Sequence, residues 1–60
     1  MPWERAQALL GQGRCLLALG RATEASEPLR QAGSVFAGLG AKPAVADTDA
    51  LLEQAAALVA

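Results

Sequence analysis

Six residues taken in order, Gly13, Leu16, Gly20, Ala25, Leu29 and Ala32, form a series of small and large apolar residues at spacings that a helical hairpin satisfies. Gly13 and Leu16 fall on one helical face, and Gly20 offers a left-handed stop. Ala25, Leu29 and Ala32 then return to a single face at steps of four and three. Two antiparallel helices joined in this way each present an apolar stripe, and one pair leaves part of that surface uncovered. The chain is expected to work by packing against something, as an interaction or scaffold element.

Size sharpens that expectation. Sixty residues hold at most one small domain, near the lower limit for a core that folds unaided. Cys15 is the single cysteine and histidine is absent, so neither a disulfide nor a Cys/His metal site can staple the fold. The remaining sources of stability are helix propensity, which the many Ala and Leu residues supply, and a partner chain.

Composition narrows the partner class. The net charge is −1 with five basic residues, which gives no cationic footprint for nucleic acid. An apolar fraction of 53% with one Trp and one Phe argues for an ordered helical chain. The opening Met1-Pro2-Trp3-Glu4-Arg5 lacks the basic-then-apolar layout of a signal peptide. No apolar run approaches the roughly 18 residues of a membrane span. A soluble, cytoplasmic, membrane-free chain is expected.

Three helices follow from the periodicity. The first is predicted from Pro2 to about Leu19, with Pro2 at a first helical position and Gly20 as its stop. Ala6, Leu9, Leu10, Gly13, Leu16 and Leu17 form its broad apolar arc. Ala8, Cys15 and Leu19 form a second, narrower arc, separated from the first by Arg5 and Gln12 on one side and by Glu4, Gln7, Arg14 and Arg21 on the other. A helix with two apolar arcs is expected to have two neighbours.

The second helix is predicted from Ala22 or Thr23 to between Phe36 and Leu39, with Thr23 as a capping side chain and Glu24 and Glu27 near its positive end. Its apolar face is Ala22, Ala25, Leu29, Ala32, Gly33, Phe36 and Leu39. Pro28 is expected to cost a hydrogen bond or bend the axis. The third helix is predicted from Pro43 to about Val59. Its apolar face is Val45, Thr48, Leu51, Leu52, Ala55, Leu58 and Val59, with Asp47, Asp49, Glu53 and Gln54 beside a strip of Ala46, Ala50 and Ala57. Short glycine-marked connections predict an all-α, three-helix, up-down-up fold.

The stretch from Gly13 to Ala32 resembles the tetratricopeptide repeat, a pair of antiparallel helices with a period of about 34 residues. In that resemblance Gly13 is the small residue at the helix crossing, Leu16 fills an aromatic position and Gly20 makes the turn. Ala25, Leu29 and Ala32 supply the second helix, and Leu9 stands where many repeats carry Trp. Gln12 replaces a usual Leu, and Ala37 replaces a common terminating Pro. The segments Leu16–Arg21, Glu24-Ala25, Pro28–Ala32 and Phe36–Ala41 look similar to C-terminal repeats of large bacterial signalling proteins, LuxR-like regulators and adenylate-cyclase-type proteins among them. One period beyond Gly13 falls on Asp47, so the third helix does not restate the first and reads as a cap.

No constellation carries catalysis. Cys15 lacks a base partner and reads as a buried or interface hydrophobe. Gly11-Gln12-Gly13-Arg14 has Leu16 where a dinucleotide fingerprint needs Gly and no strand before it. Asp47, Asp49 and Glu53 spread too widely around a helix to converge on a cation. Arg14 and Arg21 share a solvated edge. Trp3 reads either as an interface anchor or as a cap over the end of the third helix. No catalytic residue, metal, cofactor or small-molecule substrate is expected. The interface candidates are Trp3, Ala8, Cys15, Leu19, Leu51 and Leu58. The expected function is a self-associating helix-stacking module. The alternative is a C-terminal regulatory or peptide-binding segment of a larger bacterial signalling or transcription-regulating protein, whose partner is its own upstream repeats.

Overall fold

The computed structural model, which describes residues 1–59, contains three helices: α1 (Pro2–Ala18), α2 (Ala22–Gly38) and α3 (Lys42–Val59). Each predicted helix is present, within a residue or two of its expected ends. The helix starts recur at positions 2, 22 and 42, an interval of 20 residues. Both connections are the same motif. Gly20 takes φ +76° and donates its N–H to the Leu17 carbonyl at 3.0 Å, while the Arg21 N–H reaches the Leu16 carbonyl at 2.8 Å. Gly40 takes φ +70° and bonds Ala37 at 3.1 Å, while the Ala41 N–H reaches Phe36 at 3.0 Å. These are Schellman caps, and they need a residue without a Cβ at the left-handed position.

α2 lies between its two neighbours, and α1 and α3 touch only slightly. The molecule measures 30 × 17 × 13 Å. Leu29 and Phe36 on α2 are completely buried, together with Ala6, Ala25, Ala32 and Ala55. Leu10 and Leu17 close the α1 side, while Val45, Leu51 and Leu52 pack from α3. Full burial of side chains such as Leu29 and Phe36 stabilises by about 1.5–3 kcal/mol each. The close approach of α1 and α2 relies on Gly13, whereas Gly33 on α2 leaves room for ordinary contact with α3. A Cβ on Gly13 would lie 2.5 Å from Leu29 Cγ, and one on Gly33 would lie 3.4 Å from Thr48 Cγ2. Thr48 is the buried polar residue of the core, and its Oγ1 donates to the Ala44 carbonyl at 2.8 Å.

Several expectations are corrected. Thr23 lies inside α2 and does not cap it; Arg21 holds the N-cap position without a side-chain bond. Helix α3 begins at Lys42, which puts Pro43 second, where its missing N–H is still harmless. Pro28 is accommodated within α2 with its ring buried, so its apolar surface joins the core although Glu24 loses its usual backbone donor. Leu39, Leu58 and Val59 are exposed. Leu39 is the C-cap residue of α2, beyond its last helical turn. Leu58 and Val59 border an open cleft beside Gly20–Glu24, where no further element covers them.

Candidate functional site

Helix α1 places a candidate site opposite its packed stripe. Ala6, Leu10, Gly13 and Leu17 are buried. Ala8, Cys15 and Leu19 fall about half a turn away around the helix and are exposed. Leu19 is 69% exposed, a large apolar side chain with no cover. The second arc therefore exists as a surface, and among the described residues nothing fills it. Cys15 sits on this surface, which removes the reading of it as a buried hydrophobe.

The other candidates are scattered. Trp3 is partly exposed, and its ring meets Phe36 edge-on at 5.2 Å and 67°. It therefore covers the last turns of α2, not the end of α3, because the antiparallel arrangement brings the start of α1 beside the end of α2. Leu51 is partly buried against the core, which takes most of its side chain away from any outward surface. Leu58 stays outside, on the cleft with Val59 and Gly20. A second open groove lies beside the α2–α3 turn, lined by Ala37, Gly40, Lys42, Val45, Ala46 and Asp49. The periodicity offered no signal for it, because a groove at a turn depends on how two helices splay.

Charge on these surfaces is local and solvated. Arg21 Nε pairs with Glu24 Oε2 at 2.6 Å across one turn, which separates its role from that of Arg14. Arg30 Nη2 pairs with Glu27 at 2.7 Å, and Gln31 donates to the same carboxylate at 3.3 Å. The Gln31 hydrogen bond, then that of Arg30 and its charge, hold the Glu27 carboxyl below its ordinary value. Such exposed pairs are screened and add little to stability.

Gly11–Arg14 is helical backbone, not a phosphate-cradling loop. No group of three His, Cys, Asp or Glu among the described residues is placed to hold a metal ion. Among the described residues no helix is long and apolar enough to cross a membrane. Compared with protein-family models, curated proteins and solved structures, the chain matches none.

Proposed function

We propose that this chain is a tetratricopeptide-like helix-stacking module that acts through protein–protein contact and associates with copies of itself. The observation that carries this reading is the apolar face of α1 left open opposite its packed stripe, with Ala8, Cys15 and Leu19 exposed. Helices with two apolar faces occur where a row of helices continues on both sides. The hairpin supports the likeness: Leu29 seats on Gly13, Gly20 turns the chain, and Ala25 and Ala32 are fully buried beside it. The small size of the core adds a thermodynamic reason, because a partner that binds only the folded form stabilises it by mass action.

Sedimentation across a concentration series tests the reading. Molar mass is expected to rise above that of one chain, and the melting temperature to rise with concentration. A monomer with a constant melting temperature overturns it. That outcome favours the alternative of a regulatory segment of a larger bacterial signalling protein, whose open face meets other repeats of the same polypeptide.

A further inference from the structure

The open groove beside the α2–α3 turn has a charge at each end of one wall. That wall is Lys42, Val45, Ala46 and Asp49 of α3. Steps of three, one and three place these four on one face of the helix. Lys42 and Asp49 stand two turns apart, about 10 Å along the axis. Both are exposed, and among the described residues neither enters an ion pair or a side-chain hydrogen bond. Arg21 and Arg30, in contrast, are each held by a carboxylate of their own helix.

A face with a cation at one end, an anion at the other and apolar residues between is complementary to itself turned end for end. Lys42 and Asp49 lie equally far from the midpoint between Val45 and Ala46. Two copies of α3 crossing antiparallel at that midpoint therefore set Lys42 of each against Asp49 of the other. A parallel pairing sets like against like. The opposite wall of the groove is Ala37 and Gly40, with no side chain larger than a methyl to hold a second helix away. Ala46 at the crossing suits helix axes about 8–10 Å apart. Glu53, one turn past Asp49, falls beside the positive N-terminal end of the second copy's α3, where an acid is favoured.

We propose that this groove is the contact of a two-fold dimer, each copy's α3 seated antiparallel in the groove of the other. This rests on the self-association proposed above and gives it a second surface besides the open face of α1. The contact uses the same patch on both copies, so two chains satisfy it completely. Placement selects the pairing, because the face carries its two charges at opposite ends.

Full-length variants test this by sedimentation across a concentration series at low salt, with circular dichroism reporting helix content. Lys42→Glu sets acid against acid at both ends of the contact, and Asp49→Lys sets base against base. Each is expected to associate roughly tenfold more weakly than the unmodified chain. The double variant Lys42→Glu/Asp49→Lys keeps the net charge of −1 and exchanges the two ends, so its association is expected to return. An equimolar mixture of the single variants is expected to associate as well, because each repels itself and attracts the other. A single variant that loses helix content is replaced by Lys42→Gln or Asp49→Asn, with an expected weakening of about threefold. Undiminished association of the single variants, or a double variant as weak as they are, overturns the groove contact alone. A monomeric unmodified chain overturns self-association itself.

Discussion

Leu29 occupies the space that a side chain on Gly13 would need, and its own side chain is fully buried with no room to yield. Substituting Gly13→Ala sets two effects against each other. Alanine gains about 1 kcal/mol of helix propensity, and overpacking against Leu29 costs about 1–3 kcal/mol. The collision wins, so Gly13→Ala is expected to lower the urea midpoint by a net loss of about 1 kcal/mol. Gly11 lies two residues away with nothing near a Cβ. Gly11→Ala keeps only the propensity gain of about 0.5–1 kcal/mol, and its midpoint should rise. Two variants that shift the same way would contradict the close crossing at Gly13. This contrast was legible in the spacing, because Gly13 stands in step with Leu16 and Leu17 on the packed side while Gly11 does not. Cys15 was not legible to the same degree. Composition alone gives a cysteine a buried environment; phase set Cys15 on the second arc, and the structure shows that this arc is exposed.

Among the elements, α2 departs most from what local propensity favours, since it runs unbroken through Pro28. Proline there removes the donor that would meet the Glu24 carbonyl, and its interior cost relative to alanine is about 3 kcal/mol. Burial of the ring offsets about 1–2 kcal/mol of that. Pro28→Ala is therefore expected to stabilise the chain by about 1 kcal/mol, read as a higher melting temperature at fixed concentration. A lower melting temperature would show that the ring packs better than its area implies. Existence and order of the helices followed from periodicity, and the stops followed from Gly20 and from the glycines at the end of α2, of which Gly40 makes the turn and Gly38 is still helical. The helix starts were less secure. Thr23 has the chemistry of a cap, yet the Schellman turn hands the chain into α2 at Ala22, two residues too early for Thr23 to serve. The last turn of α3 was misjudged for a different reason. Leu58 and Val59 keep the phase of the core stripe, but phase says nothing about whether a neighbouring helix extends far enough to cover them.

At the scale of the whole molecule, α1 and α3 are both docked on α2 and barely on each other. The all-α, up-down-up order was readable from the short glycine turns, whereas the row-like arrangement was not. Periodicity gives each helix a face but no angle between faces, and a closed bundle would satisfy the same pattern. The row has a kinetic consequence. Nearly every tertiary contact joins helices adjacent in the chain, so little loop entropy opposes folding and the folding time belongs in the microsecond-to-millisecond range. Protection should be graded as well. Either outer helix can detach while the other hairpin persists, so amide hydrogen exchange is expected to be slowest across the middle of α2 and faster along α1 and α3. Uniform protection across all three helices would count against such independent opening. A chain built this way has one helix that must be folded for anything else to hold, and two that can come and go around it.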